Sequence, residues 1–212
     1  KDYLRRAVKP NMSARAISAT LAGECNELYM NMPGDDTTVL SIKVREHAPT
    51  SVFVGPPIKK EDDAAYVADF MAMPGKKAVC GGTSSQIVAR QLGKEVRTSF
   101  EFPDRDIPPI GYIEGIDLTT EGVITVRRVL ELSEKYLNPA DYAAKTLDKR
   151  DGATLLAKLL FEDSTDVNFF VGQSHNHAHD GLDIETTMKL KLIDKLAANL
   201  KLMGKNVAVR YN

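Results

Sequence analysis

Residues 51–212 predict an α/β fold: a mainly parallel sheet flanked by helices in a three-layer, Rossmann-like arrangement. Two observations predict it. Short apolar runs of strand character alternate with segments of helical periodicity. Glycine-bearing turns follow several of those runs and open the next helix, as crossover connections between parallel strands require. A separate helix and strand, within residues 1–46, come first.

The first unit opens with a helix that Asn11 or Ser13 can cap. Its apolar residues Ile17, Leu21, Cys25 and Leu28 recur at three- and four-residue spacing. Pro33-Gly34 is expected to end it, and Val39–Val44 alternates as a half-buried strand does. One helix and one strand cannot close a core, so this unit must pack on something else.

From Ser51 the pattern changes. Ser51–Val54 is an expected strand that runs into Gly55-Pro56-Pro57, followed by a helix from Glu61 to Met73. Lys77–Cys80 is the next strand, leading through Gly81-Gly82-Thr83-Ser84-Ser85 into a helix Gln86–Leu92 that Gly93 stops. Glu95–Phe102 reads as a third strand on the period-two placing of Phe100 and Phe102. A Pro-rich loop then leads to a helix expected to be capped near Thr119 or Thr120, with Val123, Val126, Leu130 and Leu137 as its apolar stripe. Helical sequence follows from Pro139 to Phe161, broken at Asp151-Gly152. Val167–Val171 is a strand ending in Gly172-Gln173-Ser174. A long helix, Ile184–Met203, has Asp183 as its expected cap and Gly204 as its stop, and Val207–Tyr211 is the final strand.

Composition narrows the function classes. In 212 residues, 43% are hydrophobic and 27% charged, the balance of a globular protein, and the net charge of −1 argues against a nucleic-acid partner. No segment approaches the roughly 20 apolar residues that cross a bilayer. The two cysteines, Cys25 and Cys80, fit no metal or redox spacing and read as reduced thiols of a cytoplasmic protein. The chain begins at Lys1 rather than Met, which suggests a fragment of a longer polypeptide.

Four groups of residues carry potential chemistry. In open α/β sheets ligands bind beyond the carboxyl ends of the strands, so Gly55 and the Gly81, Gly82, Thr83, Ser84, Ser85 turn are candidates for an anion site. Two glycines permit close backbone approach and three hydroxyls precede a helix start; a tight turn with a hydroxyl cap explains the same residues. Glu114, Asp117 and Glu121 read either as partners of a helix dipole or as the acidic wall of a pocket able to hold a hard cation. Ser174–Asp180 holds three of the four histidines, His175, His177 and His179, and serves as a polar pocket loop or an incomplete metal site. Asp35 and Asp36, in a Pro-Gly turn before a strand, are metal ligands or ordinary turn residues.

The order helix, Pro-Gly-Asp-Asp-Thr-Thr, alternating strand resembles the carboxyl-terminal end of a metal-dependent protein serine/threonine phosphatase of the PPM type, and most closely the SpoIIE (stage II sporulation protein E) family. The stretches VFVGPP, GKKAVCGGTSSQIVARQLGKEV, DIPPIGYIEGIDLTTEGVITV and VGQSHNHAHD resemble an extension that follows the phosphatase domain in one bacterial branch of that family. The extension pattern has Asn-Pro-Ala-His where this chain has Asn176-His177-Ala178-His179. Asn176 and His179 therefore match it, while His175 and His177 are extra.

The resemblance implies that residues 1–46 end a phosphatase domain and that Asp35, with Asp36 beside it, ligates one of two Mn²⁺ or Mg²⁺ ions. The implied reaction is hydrolysis of phosphoserine or phosphothreonine in a phosphoprotein by a metal-bridged water. Only 34 residues precede Asp35, so the remaining ligands are absent and the chain alone is expected to be inactive. The alternative is a regulatory α/β module that binds a small anion through the Gly81–Ser85 turn, Glu114, Asp117, Asn176 and His179. Oligomerisation is left open.

Overall fold

The computed structural model describes residues 2–10, 12–32, 34–98, 108–138, 147–174 and 183–212. Its sheet contains seven strands: β1 (Pro49–Val54), β2 (Lys76–Cys80), β3 (Arg97–Thr98), β4 (Gly111–Tyr112), β5 (Leu118–Thr120), β6 (Asp166–Val171) and β7 (Asn206–Tyr211). Their spatial order is β3-β4-β5-β2-β1-β6-β7. The five strands β5, β2, β1, β6 and β7 pair in parallel, and β3 and β4 add an antiparallel margin. Numbered among themselves, the parallel strands run 3-2-1-4-5, a doubly wound order whose direction reverses between β1 and β6.

The period of two along the strands divides the core into two layers. On one face Phe53, Val79 and Phe170 meet Tyr66, Val67 and Phe70 of α3 (Asp63–Ala72) and Ile87 and Val88 of α4 (Gly82–Leu92). The register Phe53↔Val79 and Phe53↔Phe170 puts these side chains in one row. Phe53, Tyr66, Phe70 and Phe170 form a ring of tilted and edge-on contacts at 5.3–5.6 Å between centroids, the geometry aromatic quadrupoles favour. On the other face Val52, Val54, Ala78, Cys80, Val167, Phe169 and Val171 meet three helices. These are α5 (Val123–Leu137), α6 (Gly152–Lys158) and α7 (Asp183–Leu202), with a π-helical turn, Leu159–Asp163, continuing α6.

Most expected elements are present, with four corrections. Val39–Val44 forms no strand: a strand exists only through ladder hydrogen bonds, and this segment pairs with no described strand. Thr119 and Thr120 do not cap a helix; they belong to β5, which is too short to show alternation, and Gly122 occupies the cap of α5. Helix α4 starts at Gly82 rather than Gln86, so the expected turn is its first turn. Within the expected strand Glu95–Phe102 only Arg97–Thr98 pairs among the described residues; Phe100, Phe102 and residues 139–146 of the expected helical stretch lie outside them.

Ahead of the sheet come α1 (Asp2–Ala7) and α2 (Ala14–Leu28). Ser13, one of the two expected caps, accepts from the Ala16 amide at 3.1 Å. Helix α2 ends before Pro33-Gly34, at Tyr29, with Met30 and Asn31 in the left-handed region. Ala16 is its one buried residue. The segment is tied to the sheet's amino edge: Ser13 donates to Glu162 at 2.6 Å, the Ala48 amide to Thr165 Oγ1 at 2.8 Å, and His47 Nε2 lies 2.7 Å from Asp166.

Phe170 contacts both partner rings of α3 and is 1% exposed. Phe170→Ala is expected to cost about 3–5 kcal/mol, measured as a fall in the urea midpoint with unchanged m-value.

Candidate functional site at the carboxyl edge

The loops after β1 and β6 meet where the strand order reverses, and the loop after β2 lies beside them. β1 leaves through Gly55 (φ +82°) and β2 through Gly81 (φ +115°), conformations that L side chains rarely adopt. The Gly55 amide donates to Ser84 Oγ at 2.9 Å, which joins the first loop to α4. β6 leaves through Gly172, whose amide donates to the Val54 carbonyl at 2.9 Å, and the Ser174 amide donates to the Pro56 carbonyl at 3.1 Å. A side chain at Gly172 would fall inside the van der Waals radius of the Pro56 carbonyl oxygen. The Lys189 ammonium of α7 donates to the Gly172 carbonyl at 2.5 Å and would sit 2.6 Å from a Cβ placed on Gly55. The crevice expected at the reversal is therefore a tight seam of backbone with a lysine at its floor.

Beside it, the amino end of α4 has no side-chain cap. Gly82 and Thr83 are exposed, and the amides of a helix's first turn have no intrahelical acceptor. Ser84 and Ser85 are buried and committed to the fold: Ser84 Oγ accepts from Gly55, and Ser85 Oγ donates to the Gly81 carbonyl at 2.8 Å. Glu121 accepts from the Gly122 amide, and a Cβ on Gly122 would lie 3.4 Å from the Gly81 Cα. Gly55, Gly81, Gly82, Thr83 and Glu121 thus belong to one neighbourhood, although a carboxylate there opposes an anion.

The other acidic residues lie elsewhere. Strand β5 separates Asp117 from Glu121, and four residues at about 3.3 Å each put roughly 13 Å between them. Asp117 is level with the start of β2: its Oδ2 accepts from the Lys77 amide at 2.8 Å and its own amide donates to the Lys77 carbonyl at 2.9 Å. Glu114 is exposed and lies 2.8 Å from Lys94, whose hydrogen bond and charge hold its carboxyl below the usual range. The expected joint pocket of Glu114, Asp117 and the glycine turn does not form, because Glu114 and Asp117 serve the opposite edge.

Asp35 and Asp36 are exposed, and the Asp36 amide donates to Asp35 Oδ1 at 2.8 Å, a turn-forming contact. Among the described residues no group of three or more His, Cys, Asp or Glu side chains is placed to hold a metal ion. Asn176, His179, His175 and His177 lie outside the described residues.

A buried cation at the amino edge, Lys205, went unnoticed in the sequence, where nothing distinguishes it from the chain's other lysines. It is 8% exposed and donates to the Ser164 carbonyl at 2.6 Å. Burial, with the Arg45 charge adding to it, pushes its ammonium down to about 8.

No family model, curated protein or solved structure matches the chain. The architecture defines the class: an α/β protein with a seven-stranded mixed sheet between helices. Among the described residues no helix is long and apolar enough to cross a membrane.

Two outcomes test this geometry. Gly172→Ala is expected to cost about 3 kcal/mol or more, since the obstruction is backbone that the β1–β6 pair holds in place; a variant that unfolds at the wild-type midpoint would contradict the seam. The second is the pH dependence of stability. Lys205 loses its proton near 8 when folded and near 10.5 when unfolded, so the unfolded chain binds more protons in that window and stability rises with pH. Lys77, also lowered by burial, acts in the same sense. Burial raises the Cys80 thiol from 9.0 to about 11, which removes stability as pH climbs from 9. Burial, aided by Asp194, raises Tyr211 from 10.0 to about 12, and Tyr66 is raised by burial, so both remove stability above 10. Urea midpoints should climb from about pH 8 to 9, level off, then fall, and Lys205→Met should remove most of the climb.

Proposed function

We propose that the chain is the carboxyl-terminal part of a bacterial, cytoplasmic SpoIIE-like protein serine/threonine phosphatase. In this reading residues 1–46 belong to the PPM-type catalytic domain and residues 51–212 form an appended regulatory α/β domain. One observation carries it. Directly after Asp35-Asp36, Leu40, Ile42 and Val44 alternate along a segment with exposures of 82%, 82% and 93%. Val39 before them and Ser41 among them are half-buried, Lys43 is exposed, and Ser18 of α2 donates to Ser41 Oγ at 2.8 Å. A helix contact on one side of the segment and three bare apolar side chains at every second position support reading it as a last strand whose sheet is supplied elsewhere. Leu28, Met30 and Met32, earlier in the chain, are uncovered as well.

Asp35 would then supply one ligand to a pair of Mn²⁺ or Mg²⁺ ions, which would activate water and neutralise phosphoryl charge. This chain's own part is to fix the Asp35 carboxylate in a turn held by the Asp36 amide. The other acidic ligands would come from the remainder of the catalytic domain, and the substrate would be a phosphoprotein.

The experiment compares the 212-residue chain with the product of its gene including the upstream codons. The longer protein should hydrolyse a phosphopeptide only with Mn²⁺ or Mg²⁺. Asp35→Ala should lower that rate by more than the ~10–100-fold that loss of an outer-shell partner costs. The shorter chain should be inactive; turnover by it alone, or an unaffected Asp35→Ala enzyme, defeats the reading.

A second reading, a small-anion sensor with no activity of its own, is favoured by the uncapped start of α4 at the carboxyl edge. Thermal-shift measurements with phosphorylated metabolites and nucleotides, repeated on Thr83→Asp, address it: stabilisation that this variant loses supports the sensor.

A further inference from the structure

The amino edge of the sheet, opposite the glycine loops, holds a cavity of about 780 Å³, within the range of small-molecule sites. Its walls come from two parts of the chain. Arg15, Lys43 and Arg45 belong to the leading segment, and Lys76 and Lys205 stand at the starts of β2 and β7. Glu162 and Asp163 are the carboxylates of the lining, so five cations face two anions.

Lys43, Arg45 and Lys205 are held in place by carbonyl groups. Lys43 donates to the Pro10 and Met12 carbonyls at 3.2 and 2.9 Å. Arg45 donates to the Glu162 carbonyl and, at 2.8 Å, to the Ser164 carbonyl that Lys205 also reaches. Lys76 is 3.9 Å from Asp163, the limit of an ion pair. The Arg15 guanidinium lies 4.8 Å from the centre of the Tyr136 ring, a cation–π contact that orients it at the cavity wall. The start of the 15-residue helix α2 also lines the space and adds its positive dipole end. Lys205 is the most telling member. It is 8% exposed, donates to the Ser164 carbonyl, and feels the Arg45 cation as well as the Glu162 and Asp163 carboxylates.

We propose that this cavity binds a small polyanion bearing two phosphoryl groups, clasped between the leading segment and the sheet. The excess of three positive charges decides the class. A single phosphate monoester carries about −1.5 to −2 and leaves part of that excess unmet, whereas two linked phosphoryl groups meet it. Leu137 and Met203 give the mouth an apolar side against which an organic substituent packs. Because the ligand bridges both walls, binding fastens residues 43–45 to the starts of β2 and β7. The inference depends neither on the phosphatase reading nor on the α4 site: its residues lie at the other edge, and its test involves no turnover.

The test is calorimetric titration of the 212-residue chain at low ionic strength with inorganic pyrophosphate and, separately, inorganic phosphate. Pyrophosphate should bind more tightly than phosphate and raise the melting temperature, and hydrogen exchange should slow at residues 43–48. The paired substitutions Lys43→Gln and Lys76→Gln, both at exposed positions, should leave the ligand-free melting temperature in place and weaken pyrophosphate binding by about tenfold or more. Lys94→Gln, on the Glu114 pair outside the cavity, should not change it. The proposal is overturned if pyrophosphate does not bind at millimolar concentration. It is equally overturned if the double variant binds as the wild type does, or if Lys94→Gln weakens binding as much, since either result means diffuse surface charge.

Discussion

Everything in this structure is arranged around β1, a strand covered on both faces and paired on both edges. Val52 and Val54 enter the layer under α5, α6 and α7 while Phe53 enters the aromatic cluster under α3 and α4, and all three are at most 2% exposed. A parallel strand in that position has no solvent face, so each of its neighbours must carry matched residues at matched heights. β2 and β6 do so in register, Phe53 lying between Val79 and Phe170. A slip of one residue would turn Phe53 into the other layer and dismantle both.

That constraint also shapes the two edges. At the carboxyl edge the neighbours β1 and β6 exit side by side, and their loops can cross only because Gly55 and Gly172 have no side chains. The space a ligand would use at such a reversal is consumed by backbone pairing and by Lys189. At the amino edge the same strands begin among Lys76, Lys205 and the segment that precedes β1, and there the elements stand apart and leave a charged hollow. Among the described residues the reversal at the carboxyl edge is filled by backbone and Lys189, and a hollow lies at the amino edge.

The leading segment follows a different logic. Its ties to the sheet are polar, through Ser13, Arg45, His47 and Ala48, whereas its apolar residues Leu40, Ile42 and Val44 face away. Desolvating those side chains would be favourable, which is the ground for the proposal that the segment meets a further surface. Asp35 and Asp36 sit at the head of that segment, within a turn rather than among other acids.

Local patterns were enough to read most of the helices and the strands β1, β2, β6 and β7 from the sequence. The apolar runs in Ser51–Val54, Lys77–Cys80 and Val167–Val171, and stops at Gly93 and Gly204, depend on each residue's own preferences and so survive without knowledge of neighbours. Val39–Val44 shows the limit: its pattern equals that of a true strand, but pairing belongs to two segments and one sequence window holds only one of them. Leu118–Thr120 fails the opposite way, being a strand through β2 and β4 with no pattern of its own. The candidate site was legible in part. Gly55 and Gly81 have the positive φ that favours glycine, whereas Gly82 has neither a positive φ nor a close neighbour. Asp117 and Glu121, four residues apart, were grouped although a strand carries them to opposite edges. The five cations at positions 15, 43, 45, 76 and 205 share no spacing that a sequence displays. Sequence determined which segments fold and what ends them, since those are short-range preferences. Tertiary structure alone decided which charges meet, because proximity across a sheet is set by strand order and direction.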